Sequence, residues 1–215
     1  MKKVVLIFGL LFSAWIVRGQ ESALKLGLAT YPNFGFIKVE QGKTNGNNLG
    51  FTYGLFGDYA FTDNYFLATG LLVTSINGNA SIIDYSPYHN AQTSALYDVK
   101  LKMRYLEVPV SLKLKTQEVN DLRWFGQFGF TLGARIASKQ DVELNNNIIA
   151  ADVSANKSTG FFRAGLLVGA GAEYKVFGKS SLVGGLSYNN GLSNIAKKGS
   201  EIKNHYLAIN FGFLF

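Results

Sequence analysis

The sequence predicts an all-β fold, an eight-stranded antiparallel up-and-down transmembrane β-barrel, and three observations carry that expectation. Large apolar side chains alternate with small or polar ones at a period of two in segment after segment. The stretches between those segments are short and long in turn, which suits a barrel with tight turns on one side and loops on the other. The composition of 24 Gly, 17 Phe and 11 Tyr against 3 Pro favours strands and tight turns over helices.

Taken from the N-terminus, the first element is not part of the barrel. Lys2 and Lys3 precede an apolar run from Val4 to Val17 of about 14 residues, followed by Val17-Arg18-Gly19. A spanning helix needs about 20 apolar residues, so the run reads as an export signal with cleavage after Gly19. The expected division is 1–19 signal peptide and 20–215 barrel domain.

Strands are expected over 23–37, 49–61, 65–77, 104–115, 123–137, 160–177, 181–194 and the C-terminal segment ending at Phe215. In 104–115, Leu106, Val108, Val110, Leu112 and Leu114 share one face. Tyr105, Glu107, Pro109, Ser111, Lys113 and Lys115 share the other. Trp124, Phe128, Phe130 and Leu132 likewise oppose Gln127, Thr131 and Arg135, and Phe162, Leu166 and Val168 oppose Arg163 and Glu173. In 49–61, Phe51, Tyr53, Leu55 and Tyr59 face away from Thr52 and Asp58; segment 65–77 alternates poorly. The last strand sets Leu207, Ile209, Phe211, Phe213 and Phe215 against Tyr206, Ala208, Asn210, Gly212 and Leu214. Short turns fall at 62–64, 116–122 and 178–180, and long polar loops at 38–48, 78–100, 138–158 and 195–203. With an even strand count, both termini lie on the short-turn, periplasmic side.

A soluble lipocalin-like barrel shares the alternation. It would put the charged face in water and leave the Gly-rich face exposed for no reason, whereas small residues with single charges suit the narrow interior of an eight-stranded barrel and Phe and Leu suit lipid. Closure is then obligatory, since an open edge in hydrocarbon leaves backbone groups unpaired. Tyr31, Tyr59, Phe61, Tyr65, Trp124, Tyr174 and Phe177 are candidates for interfacial girdles.

The net charge of +7 falls to +4 when Lys2, Lys3 and Arg18 are removed, and no basic face suggests nucleic acid. The absence of cysteine excludes disulfides and thiolate metal sites. His89 and His205, without a carboxylate cluster, make no metal site, and no cofactor motif is present. Gly169-Ala170-Gly171-Ala172 lacks the Lys-Ser/Thr and the helix of a phosphate loop. Ser187 and Ser193 could serve as nucleophiles in a lipid-modifying hydrolase, but no nucleophile–base–orienter spacing stands out, and His205 has lipid-face parity. Glu107, Lys113, Arg135, Arg163 and Glu173 are expected to face the lumen. An ion path is one reading of them, and a lumen charge network filling a narrow bore is favoured, because buried charges must be paired.

Tyr105-Leu106-Glu107-Val108-Pro109-Val110, Gly165 through Tyr174, Ser187 through Ile195 and the ending Lys203 through Phe215 resemble the outer-membrane β-barrel family of Bacteroidetes-type bacteria, often called PorT-like. The resemblance spans nearly the whole chain after residue 19. It implies an outer-membrane location and, through Phe211, Phe213 and the terminal Phe215, an assembly signal read by barrel-assembly machinery. Outer-membrane lipid and that machinery are the expected partners. The expected function is non-enzymatic: a barrel with a plugged lumen and a structural, adhesive or assembly role through its loops, with a small passive solute pore as the alternative.

Overall fold

The computed structural model describes residues 23–86, 88–89, 93–197, 199 and 201–215. The expected export segment lies outside the described residues. Nine strands follow in order: β1 (Leu24–Val39), β2 (Gly42–Ala60), β3 (Tyr65–Ile83), β4 (Leu96–Lys115), β5 (Leu122–Leu144), β6 (Asn147–Ser154), β7 (Phe162–Phe177), β8 (Ser180–Gly191) and β9 (Ile202–Leu214). All except β6 pair antiparallel in one ring, with β1 joined to β9 and β4 to β5. The ring is therefore the expected eight-stranded one, and it leaves no free edge where unpaired backbone groups would each cost several kcal/mol in lipid. The ninth strand was not anticipated. It folds back on the outer end of β5 alone, through a turn at Asn145 and Asn146, both at positive φ. Its ladder with β5 is interrupted by register shifts and it carries Asp152 at φ 50°, irregularities that discourage a further strand from pairing on its free edge.

Two prolines sit inside strands where the ladder tolerates them. The β3–β4 register skips from Thr69↔Val110 to Leu72↔Glu107, across Pro109. The β1–β9 register skips from Ala29↔Gly212 to Asn33↔Ala208, across Pro32. Each proline lacks the N–H that the missing pair would use.

Along β4, exposed and buried residues alternate over nearly the whole strand, but the chemistry of the two faces exchanges partway. From Leu106 to Leu114 the outward residues are apolar and the inward ones include Glu107, Ser111, Lys113 and Lys115. From Leu96 to Tyr105 the outward residues include Asp98, Lys100, Lys102 and Arg104, while Tyr97, Val99, Leu101, Met103 and Tyr105 are buried inside. These buried residues join Ile37, Ile76, Ile82, Val142, Ile195 and Ile202 in one apolar core. The lower barrel is thus built for lipid and the upper barrel for water, on the same strands.

This exchange explains why the sequence-based loops were overdrawn. Segments 38–48 and 138–158 are largely strand, and 78–100 is strand at both ends: β1 and β2 meet in a turn at 40–41, β3 runs to Ile83, β4 starts at Leu96, and β5 runs to Leu144. Their outward polar residues resemble loop composition, whereas they are the watered face of strands that have left the membrane. In β5 the exchange comes with a bulge: Arg104 pairs with Ala137 but Tyr105 pairs with Arg135, so Ile136 is extra. The bulge shifts the parity, turning Ser138, Gln140 and Val142 inward and Lys139 outward.

Candidate functional site

The lumen of the lower barrel holds two layers of buried polar chemistry. The layer nearer the short turns is set by strand ends. Lys113 and Lys115 close β4, Asp58 lies near the end of β2, and Glu173 lies near the end of β7. Lys113 Nζ contacts both Asp58 carboxylate oxygens at 2.9 Å, and Lys115 Nζ contacts Asp58 at 2.7 Å and Glu173 at 2.5 Å. Lys113 also approaches Glu173 at 3.9 Å. Two cations thus face two carboxylates, all buried, so the charges are mutually satisfied where isolated ones would be prohibitive. Phe125 lies 4.7 Å from Lys113 Nζ and Phe66 lies 4.2 Å from Lys115 Nζ, adding cation–π contact.

The upper layer centres on Arg163 of β7, which is 0% exposed. Its Nη1 donates to Glu107 Oε1 at 2.9 Å, its Nε to Asn204 Oδ1 at 2.8 Å, and its Nη2 to Asn189 Oδ1 at 2.6 Å. Tyr206 donates its hydroxyl to the other Glu107 oxygen at 3.0 Å, and Asn189 donates to Thr131 at 2.8 Å. The neighbouring strands β7, β8 and β9 and, beyond β5, β4 therefore meet at one guanidinium. Gly165, the next inward residue on β7, makes this possible: a Cβ there would collide with Asn189 Oδ1. Between the layers lies a cavity of about 100 Å³, walled by Ala29, Phe56, Leu72, Leu167 and Val183 and bounded by Glu107 and Lys113. It has room for several water molecules.

Of the five charges expected to line the lumen, Glu107 and Arg163 meet in the upper layer, and Lys113 and Glu173 meet in the lower. Arg135 joins neither. Beside the β5 bulge, it reaches the loop after β6, donating to Asn156 Oδ1 at 2.8 Å and Thr159 Oγ1 at 2.7 Å. Asp58 and Lys115 were visible on the inner face of the alternating strands but were not singled out. Their opposite charges, each on the inner face near the short-turn end of its strand, were the available signal. Tyr31 does not belong to a girdle; it lines the lumen cavity, while Tyr59, Phe61, Tyr65, Trp124, Tyr174 and Phe177 are exposed on the outer surface. Phe211 and Phe215 are outward and exposed, and Phe213 faces outward beside Phe177 at 6.3 Å between ring centroids. The Phe215 amide donates to the Leu26 carbonyl at 2.9 Å, tying the last residue to the first strand.

The serines and histidines remain apart. Ser187 donates to Asn210, Ser193 Oγ accepts from the Ala164 amide, and His205 stacks on Phe36 with centroids 5.3 Å apart. Neither serine bonds a histidine among the described residues. His89 lies in the cap between β3 and β4, 3.5 Å from Asp84. In that cap, Tyr85 donates to Gln140 at 2.7 Å, and burial raises its phenol pKa to about 12. The Ala95 amide and the Ser94 hydroxyl hold the Asp84 carboxyl below its ordinary pKa, with a smaller contribution from His89.

A family model described as "Outer membrane protein beta-barrel domain" matches residues 19–197. No curated protein sequence matches the chain. Among solved structures, Neisserial surface protein A is similar at 15% identity over 88% of this chain and 95% of its own, with a TM-score of 0.44. Ail, the attachment invasion locus protein of Yersinia pestis, matches at 14% identity over 89% and 98%, with a TM-score of 0.42. The outer membrane protein OprG of Pseudomonas aeruginosa matches at 14% over 89% and 94%, with a TM-score of 0.44.

Proposed function

We propose that this chain, which belongs to the outer membrane protein β-barrel domain family, is a non-conducting, non-enzymatic barrel of the bacterial outer membrane that works through its extracellular end. The observation that carries this reading is the stacking of three fillings in one narrow bore. The Asp58–Lys113–Lys115–Glu173 layer, the Glu107–Arg163 layer and the apolar core above Tyr105 follow one another along the axis. An eight-stranded barrel is only wide enough for its own side chains, so each layer blocks the path of a hydrated solute. What is left for recognition is the water-borne upper barrel, with β6 and the connections 84–95, 155–161 and 192–201, supporting a structural, adhesive or assembly role.

In this proposal residues 1–19 are removed on export and both termini lie in the periplasm. The narrower PorT-like kinship and capture of the Phe211–Phe213–Phe215 ribbon by assembly machinery belong to it as well. Planar-bilayer recordings of the purified protein test it: no stable conductance steps are expected. Reproducible steps of porin size would overturn the plugged lumen and favour a passive solute pore through the cavity between the charge layers.

A further inference from the structure

On four strands the first charged side chain beyond the outer apolar band is basic. Lys38 follows Phe36 on β1, Arg104 follows Leu106 on β4, Lys139 follows Ile136 on β5, and Lys203 follows Leu207 and His205 on β9. Acidic residues come only farther out, as Glu40, Glu201, Asp98, Asp141 and Glu143. Two of the basic positions are direct cross-strand partners, Lys38↔Lys203 between β1 and β9, a pairing of like charges that costs stability unless something anionic meets it. The comparable pair Lys102↔Lys139 is met within the chain, by Asp141 at 2.9 Å from Lys102 and by Asp152, which contacts both lysines. At the β1–β9 pair, Glu201 meets Lys203 at 2.8 Å, and Lys38 has no ion pair among the described residues.

Directly beneath the pair lies His205, stacked on Phe36 in the next outward register position. Its Nδ1 accepts the Gly191 amide at 3.2 Å, so the neutral ring carries its proton on Nε2. That Nε2 is buried and has no partner, on a residue that is 6% exposed. An orphaned donor therefore sits under two lysines at the boundary of the apolar band, where an acceptor with negative charge would satisfy all three.

We propose that Lys38, Lys203 and His205, flanked by Phe36 and Tyr188, bind the phosphate of an outer-leaflet lipid headgroup. The acyl chains would lie along the apolar band below, and the two lysines, one outward register position beyond Phe36, would hold the phosphate at the headgroup level over the His205 ring. This rests on the reading that the upper barrel faces the cell exterior. Surface labelling of the upper strands in intact cells tests that orientation separately, because lipid binding in a symmetric nanodisc does not depend on it.

The experiment uses the full chain in phosphatidylcholine nanodiscs containing a minor fraction of phosphatidic acid, with bound phosphatidic acid read by native mass spectrometry. Lys38→Gln combined with Lys203→Gln is expected to weaken retention roughly ten- to thirtyfold. Lys102→Gln with Lys139→Gln, whose charges the chain meets itself, should change it less than about twofold. His205→Phe keeps the stack on Phe36 and removes only the Nε2 donor; it should weaken retention a few-fold, and it provides the reading if the lysine double variant fails to insert. Equal loss from both lysine doubles, or unchanged retention in the Lys38/Lys203 and His205 variants, overturns the site. Saturable binding of inorganic phosphate to the lipid-free protein in detergent, lost in the Lys38/Lys203 variant, would assign the residues to a soluble anion and overturn the lipid reading.

Discussion

Replacing Glu107 by Leu isolates the upper lumen layer. The substitution leaves the Arg163 guanidinium fully buried with neutral acceptors only, Asn204 and Asn189, and strands the Tyr206 hydroxyl. Breaking one partner of a buried pair costs about 3–5 kcal/mol, because the desolvated charge that remains has lost its counter-charge. Arg163→Met removes the other partner and should cost about as much, leaving Glu107 with the Tyr206 hydroxyl alone. Removing both charges together leaves no uncompensated ion. The double variant should therefore cost at least about 3 kcal/mol less than the sum of the singles. Urea titration of the barrel refolded into vesicles measures all three, with the lipid-facing Trp124 as the fluorescent reporter. A Glu107→Leu cost below about 1 kcal/mol, or strict additivity in the double variant, would refute the argument that this fully buried pair is held by mutual charge compensation.

Val110 is 43% exposed on the outer face and Ser111 is 3% exposed. Val110→Lys should thus cost about 2–4 kcal/mol near the midplane, and spin labels at the two sites should differ sharply in collision with a lipid-soluble relaxant; equal accessibility would contradict the facing. Deleting Phe215 should sharply lower insertion in cells while leaving refolding in detergent nearly normal if the residue is an assembly signal. Parallel losses in both assays, or none, would reduce it to one lipid-facing aromatic. The depressed Asp84 carboxyl contributes stability that is present above its unfolded value near 3.8 and lost as pH falls through the lower folded value. Acidification below about pH 4 should therefore speed hydrogen exchange at the Ala95 amide, and Asp84→Asn should remove that pH dependence.

The ring of strands was legible because a lipid face and a lumen face differ at every second residue, as in Leu106 to Leu114. What the alternation could not carry was its own reversal. Once β4 passes Tyr105, apolar side chains turn inward and Lys102 and Asp98 turn out, and a sequence reading that seeks an apolar outer face loses the strand there. The bulge at Ile136 hides a change of parity that no composition signals, which is why Arg135 was placed in a network it does not join. Charges on the inner face could be named individually, as Glu107 and Arg163 were. Which of them touch depends on strand stagger around the ring, and the meeting of Asp58 with Lys115 is a property of that stagger, not of local pattern.

The reversal beside Tyr105 also fixes how deep the protein rides. Sinking by two residues along a tilted strand moves a side chain about 5 Å toward the midplane. That would draw Arg104 to the level of Leu106, into hydrocarbon. Rising by the same step would lift Leu106 and Leu207 into water. Both displacements are uphill, so the barrel has a preferred waterline written into its strands. Membranes thinner or thicker than the band should then bend to the protein, and the local bilayer around each copy would carry its imprint.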